Sequence, residues 1–591
     1  MKNRSEIPEE CKWQLTDLFA SPEDWQAAYD ACAAAIPSLT ALKGTLGQSA
    51  ESLAKAYDTV NAFEEKMSLV GSYAFLGKTI DGGDTAFLER SEKVQSLSVK
   101  AGAALSFFEP ELMAIPAGTL AEYLKSDALA AYRHLIDDAT RLRDHVLDEK
   151  SEGILAAVRK ITATPSNTYQ MFTNVEMKLP PVIDEEGQKT ELTAGNFHVR
   201  RESGKKEVRD AAFRAMFGTY GAHKGTFASL YGGSVKQDNL FASLRGYPSA
   251  RAASLAGANV PEQVYDALIG AIHDAVPMME KYLELRKKVL GLEKLDVYDL
   301  YCPMVADIDW PMPYEEAKRL VLEAVKPLGE AYQAVIARAY RENWIDVYET
   351  PGKESGAFSA GVYGVHPFVK LNYAGTLDDA FTLAHELGHA MHSYLSSEAQ
   401  DFANHGYKLL VAEVASTVNE VLLTKYLLSV ETDPKRKAYV LNHFLEGFRT
   451  TVFRQTLFAE FEYRAHEAEA SGIPLTADWL SGLYEDLEKT YYPNAAIREE
   501  IRYEWAYIPH FYRAFYVYVY ATGFCSAVYL ASRIFETGDA ENYLKFLSTG
   551  GSDYPINELK IAGVDLTSPE VVAGAMKEFG KTIDELAKLF D

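Results

Sequence analysis

No run of the roughly 18 uninterrupted apolar residues that a membrane span needs occurs in the chain, and the opening MKNRSEIPEECKW lacks the apolar core of a secretory signal. These absences predict a cytoplasmic protein with no membrane partner. Cysteine is scarce: Cys11, Cys32, Cys302 and Cys525 lie far apart with no CxxC pair, which argues against a disulfide framework and for reduced, buried thiols. Basic runs are missing as well, and the formal charge is −25. Nucleic acid and anionic lipid are held through clusters of Lys and Arg, so no nucleic-acid partner is expected. There is no fixed-period repeat and no low-complexity tract.

What is present is an ordinary globular balance, with 48% hydrophobic and 24% charged residues, in a chain of 591 residues that exceeds what one simple core needs. From about Trp25 to Tyr169 apolar residues recur at helical spacing, as in SLAKAYDTVNAFEEKMSLVGSYAFL, which predicts several antiparallel helices. The stretch KLPPVIDEEGQKTELT breaks that pattern: Pro180 and Pro181 disfavour helix, and Gly187 among polar residues predicts a hairpin turn. The break divides the chain into an N-terminal helical lobe, 1–190, and a catalytic region, 191–591. Helical patterns resume over 205–244, 263–290 and 314–343. The exception is KESGAFSAGVYGVHPFVKLNYAG, whose glycines and alternating β-formers predict two short strands, with Pro367 best placed on an edge strand. The fold class is therefore mainly α and multi-lobed, with a small β-sheet ahead of the helix that carries the chemistry.

That helix is TLDDAFTLAHELGHAMHSYL. Thr376 with Asp379 three residues on is an acidic variant of a capping box, and Phe381, Leu383, Ala384, Leu387, Ala390 and Met391 supply its apolar sides. His385 and His389 stand at i and i+4, separated by only about 40° of helical rotation, so both imidazoles can reach one ion. Glu386, about 100° around from His385, sets its carboxylate beside the ion rather than on it. A catalytic zinc takes three protein ligands and leaves a corner for water. The third candidate is Glu413 in the apolar helix KLLVAEVASTVNEVLLTKYL, with 23 residues between it and His389, enough for one helix to end and a second to pack across it. A carboxylate among Leu410, Val411, Ala412, Val414 and Ala415 is costly unless paired or bound to metal. Glu420, seven residues on, falls on nearly the same face and is a candidate to orient a ligand, although a solvated helix carboxylate is an equally natural reading. His392 is read as packing or as a support to the ligands. One Zn2+ per chain is the expected cofactor, with Glu386 accepting the proton of the attacking water and delivering it to the leaving amine.

HELGHAMHSYL at 385–395 followed by VAEVASTVNE at 411–420 resembles oligoendopeptidase F, a family within the wider thimet oligopeptidase group of zinc peptidases. The resemblance runs through GAFS and HPFVKLNY before the helix and through IPHFYRAFYVYVYATG at 508–523 after it, and is sharpest from about residue 200 onward. It implies His385, His389 and Glu413 as zinc ligands, Glu386 as the base, and a helical, closed shape with a deep channel that admits short unstructured peptides. It also implies that the segment from Ser359 to Tyr373, with Ser359, Gly361, His366 and Tyr373 as candidate substrate-binding residues, pairs with the substrate backbone. A His and tyrosines from a later segment would stabilise the oxyanion, here His510, Tyr512 and Tyr518. Phe515 departs from the pattern, standing where a tyrosine is expected, and the spacing from His to Tyr is shorter. Tyr512, Tyr516 and Tyr520 would form an i, i+4, i+8 stripe on a helix, a pattern that more often means core packing.

The function expected is zinc-dependent endopeptidase action on short oligopeptides. A dipeptidyl carboxypeptidase-type exopeptidase would use the same centre but needs a charged residue to anchor a substrate terminus, and the sequence singles out none. A non-catalytic peptide-binding protein, or a structural zinc site, would have no use for Glu386. Structural sites are also usually closed by four ligands, often cysteines, and no cysteine lies near the motif in sequence.

Overall fold

The computed structural model describes residues 2–590 apart from 306, 307 and 309. The chain is mainly helical, with two small sheets among the described residues. It folds into two compact units, neither of them continuous in sequence: Met1–Arg143, Asp309–Tyr426 and Leu530–Val564 form one, and Asp144–Ile308, Leu427–Tyr529 and Asp565–Asp591 the other. The hairpin at which the sequence suggests a lobe boundary lies inside the second unit, where β1 (Val182–Ile183) pairs antiparallel with β2 (Lys189–Thr190). Gly187 supplies the left-handed residue of that turn, at φ 79°.

The first unit begins with three mutually packed helices, Pro22–Thr40, Ala50–Ile80 and Thr85–Leu105. Each starts on a side-chain cap: Ser21 accepts from Asp24 N, Ser49 from Ser52 N, and Asp84 from Ala86 N and Phe87 N. Their core is Trp25, Cys32, Leu39, Phe63, Val70, Tyr73 and Leu97, and Trp25 meets its one polar need by donating to Val70 O at 3.0 Å.

The same unit holds a three-stranded sheet of β3 (Ile345–Asp346), β4 (Phe358–Ala360) and β5 (Phe368–Lys370), in the order β3-β5-β4. The two expected strands are there, joined by a third, β3, that is too short to leave a periodic signal. Pro367 is not on an edge strand: it directly precedes β5, which is central, parallel to β3 and antiparallel to β4. A proline is tolerated there because pairing begins one residue later, so no ladder bond is lost. Val369 N and Leu371 N donate to Trp344 O and Asp346 O on the β3 side. By alternation Phe368 and Lys370 bond towards β4, and Ser359, opposite Val369, turns its N–H and C=O away from β5. Phe368 also joins Trp13, Leu76 and Val362 in a small core that fixes the sheet to the Ala50–Ile80 helix.

In the second unit the helices Lys206–Ala222, Lys224–Leu244 and Glu262–Val289 match the patterned stretches of the sequence within a few residues. Two segments there are wound wider than an α-helix, with π geometry: Phe172–Glu176 and Phe448–Phe453. The Tyr512, Tyr516 and Tyr520 stripe does not exist as one helix face. A 3₁₀ turn covers Pro509–Tyr512, Phe515 takes a left-handed backbone at φ 59°, and the helix begins only at Tyr518. Glu462, fully buried, accepts from Phe515 N at 2.9 Å and so holds the break in place. A periodicity count cannot see a partner so distant in sequence.

Candidate metal centre

The centre is built on the helices Leu377–Ala399 and Leu409–Val430. The first opens as its sequence predicts: Asp379 N donates to Thr376 Oγ1 at 3.2 Å, and Thr376 N donates back to Asp379 Oδ2 at 2.8 Å. Two residues then set how closely the second helix approaches. A Cβ on Gly388 would lie 2.6 Å from both Ala415 O and Ser416 Cα, so only glycine lets the two backbones meet there. Asn419, wholly buried, donates its amide to Ala384 O at 3.1 Å and accepts from Tyr332 OH at 3.0 Å. Together they fix the register of one helix against the other.

That register brings His385, His389 and Glu413 together, with one ligand atom of each within 4.8 Å of the others. Glu413 Oε2 is 3.6 Å from His385 Nε2 and 3.7 Å from His389 Nε2. Ligand atoms about 2.0–2.1 Å from a tetrahedral zinc stand about 3.4 Å apart, and the two Glu413 distances are close to that spacing. The donor set, two imidazoles and one carboxylate, suits zinc and leaves a coordination position free. His385 Nδ1 donates to Glu420 Oε1 at 2.6 Å, which turns its Nε2 towards the other two groups.

The electrostatics follow from the packing. For His385 burial opposes the charged form, but the hydrogen bond and charge of Glu420 outweigh it and raise the imidazole to about 8. Burial and the neighbouring His385 lower His389 to about 4, so that imidazole stays neutral. Burial pushes the Glu386 carboxyl up to about 7; His385 and Lys370 oppose that rise, and Glu413 and Glu420 reinforce it. Glu386 is 6% exposed, and its Oε2 has no hydrogen-bond partner among the described residues. A buried carboxylate oxygen left without a partner is costly, which is the mark of a group kept for an incoming one. His392 lies flat on Tyr407, with ring centroids 3.7 Å apart, and burial lowers it to about 3; it packs as a neutral ring.

Of the other expected site residues, Ser359 lies on β4, and its Oγ is buried without a partner among the described residues. A Cβ on Gly361 would lie 2.6 Å from Ser393 Cβ, so this glycine allows the strand segment to lie against the motif helix. His366 and Tyr373 are engaged within the protein. His366 stacks on Trp344 at 4.8 Å and its Nε2 lies 3.0 Å from Asp17 Oδ2; Tyr373 OH donates to Met312 O at 2.7 Å. His510, Tyr512 and Tyr518 belong to the second unit. There His510 Nδ1 hydrogen-bonds Tyr516 OH, Tyr512 lies 4.5 Å from the Tyr169 ring, and Tyr518 is 4% exposed against Tyr265. Nothing in the sequence alone singles out Gly388 and Asn419. Their signals are a glycine inside a helix and a lone amide in an apolar run, and both gain meaning only once the helices are known to touch.

The sequence profile of Peptidase family M3 matches residues 199–578, and that of Oligopeptidase F matches residues 111–178. Oligopeptidase PepF of Bacillus subtilis is 41% identical over 593 residues, covering 100% of this chain and 88% of its own. The oligoendopeptidase F homolog of Lactococcus lactis subsp. lactis is 39% identical over 100% of this chain and 99% of its own. The crystal structure of oligoendopeptidase-F from Enterococcus faecium superposes with a TM-score of 0.73 at 36% identity, covering 96% of this chain and 99% of that one.

Proposed function

This chain belongs to peptidase family M3, and from that premise we propose that it is a zinc-dependent endopeptidase of short, unstructured peptides that works in the cytoplasm. The observation that carries the proposal is the convergence of His385, His389 and Glu413 on one point, with Glu386, whose Oε2 has no partner among the described residues, directly after His385. A zinc ion held by those three groups would polarise the scissile carbonyl and make water acidic enough to lose a proton near neutral pH.

The remaining work falls to the chain's own residues. Glu386 takes the proton from the attacking water and hands it to the departing amine, and its raised affinity for that proton suits both halves of the transfer. Glu420 keeps His385 in the tautomer whose Nε2 is free. Ser359 offers an outward N–H and C=O on the open side of β4 for pairing with an extended peptide backbone. Gly361 seats that strand on the motif helix, while His366 and Tyr373 brace its surroundings from within. His510, with Tyr512 or Tyr518, would donate to the oxyanion that forms. The four buried, unpaired thiols suit a reducing compartment.

An N-acetylated, C-amidated peptide of about ten residues tests the reading. Internal cleavage of the blocked peptide, with a folded protein left intact, is the expected result. A strict requirement for a free terminus would replace endopeptidase with exopeptidase.

A further inference from the structure

The second unit contains a cavity of ≈ 570 Å³ that the metal centre does not account for. Its volume falls within the range of small-ligand pockets, about 300–1,000 Å³. Both π-wound segments contribute to its wall, Thr173 and Asn174 from one and Thr450 from the other. Such turns are rare and are found disproportionately at functional sites. His510 lines the same cavity.

The charge balance of the wall is uneven. Arg454 is neutralised by Glu504, at 2.8 and 3.2 Å. Arg201 is not: no carboxylate pairs with it among the described residues, and its Nε is buried without a partner. Its one hydrogen bond to a side chain among the described residues goes to His198 Nδ1 at 2.7 Å, and burial together with Arg201 and Arg454 disfavours a proton on that imidazole. The guanidinium lies 3.7 Å from the ring centroid of Tyr301, and Arg449 lies 4.2 Å from the same ring. Tyr301 responds to the surplus. Burial should raise its phenol, yet Arg454, Arg201 and Arg449 together hold it below the usual tyrosine range. A half-buried guanidinium held flat by an aromatic ring, with a donor to spare, is built to receive a planar anion. Beside it the carbonyl oxygen of Gln455 is buried without a partner among the described residues, an acceptor available to a peptide N–H.

We propose that this cavity is a carboxylate subsite, in which Arg201 forks a carboxylate carried by the bound peptide while Gln455 accepts from a neighbouring backbone N–H. The inference rests on the peptidase reading and adds to it the charged anchor that the sequence did not reveal.

The test uses the zinc-loaded full chain and three N-acetylated peptides of one sequence: a free C-terminal acid, its amide, and the amide with glutamate as last residue. Charge-assisted, bidentate recognition predicts a KM for the acid about tenfold below that for the amide. In Arg201→Gln that ratio should fall to near one, and Arg201→Lys, which keeps the charge but loses the fork, should fall between. If the glutamate amide behaves like the acid, a side-chain carboxylate serves as well; if it behaves like the plain amide, the terminus is the ligand. Equal KM for acid and amide in the wild type, or a ratio that survives Arg201→Gln, overturns the subsite. Absence of hydrolysis of all three peptides by the wild type would instead strike at the peptidase reading. Binding of the acid and amide to the Glu386→Gln protein, measured calorimetrically, should show the same tenfold split without turnover.

Discussion

Glu386 and Glu420 are both carboxylates near the same two histidines, and their surroundings give them different work. Glu420 is partly exposed and hydrogen-bonded to His385, whereas Glu386 is buried with one oxygen that has no partner among the described residues. Glu386→Gln should therefore keep stoichiometric metal and lose activity by about 10²–10⁴-fold, the usual share of a general acid–base. Metal analysis beside a peptide assay reads both, and undiminished turnover would remove Glu386 from the reaction. Glu420→Gln should weaken metal affinity by about 10–100-fold, read by chelator competition, because His385 loses the charged acceptor that orients it. An unchanged affinity would reduce Glu420 to a surface charge. At this scale the sequence was most legible. The i, i+4 histidines and the intervening glutamate follow from helical rotation alone, and Glu413 stood out as a charge in an apolar run. Glu420 could not be told from a solvated helix residue until its distance to His385 was known.

Between elements, what decides the centre is how two helices touch, and that information is not periodic. Gly388 and Asn419 act across the contact, the first by having no side chain and the second by bonding a backbone carbonyl of the opposite helix. Gly388→Ala would drive a methyl group into Ala415 O and Ser416 Cα, which must move apart by several tenths of an ångström. The expected outcome is a loss of about 1–3 kcal/mol in stability, typical of overpacking, together with weaker metal binding as Glu413 shifts. Denaturant unfolding and metal titration measure the two effects, and a variant unchanged in both would mean the helices are held otherwise. The start of the motif helix was readable because a capping box is local. The central place of β5 and the break at Phe515 were not, because one depends on a two-residue strand and the other on the distant Glu462.

Over the whole molecule, the two units are assembled from interleaved stretches, so a composition break such as that near Pro180 could mark a hairpin without marking a unit boundary. Burial of carboxyls is likewise a whole-fold property. Glu558 and Glu462 are fully buried and held up to about 8, chiefly by loss of hydration, and neither oxygen of Glu558 has a partner among the described residues. In the unfolded chain such groups titrate near 4.3. Between about pH 4.5 and 8 the folded protein therefore holds protons that the unfolded chain has released, and stability falls as pH rises through that window. The metal-free protein, freed of the opposing pH dependence of metal binding, should melt at progressively lower temperature from about pH 6.5 to 8, above the range in which the lowered His389 and His392 contribute the opposite slope. Glu558→Gln should flatten part of that slope, and a slope identical to wild type would show that Glu558 does not carry the proton.

The central claim is that two imidazoles and a carboxylate from a second helix share one zinc ion. Anomalous diffraction collected at the zinc absorption edge from crystals of the zinc-loaded protein tests it most directly. The account predicts a single strong peak per chain about 2.0–2.1 Å from His385 Nε2, His389 Nε2 and a Glu413 carboxylate oxygen. A peak elsewhere, or one at the two histidines with Glu413 turned away and another protein group in its place, would contradict it.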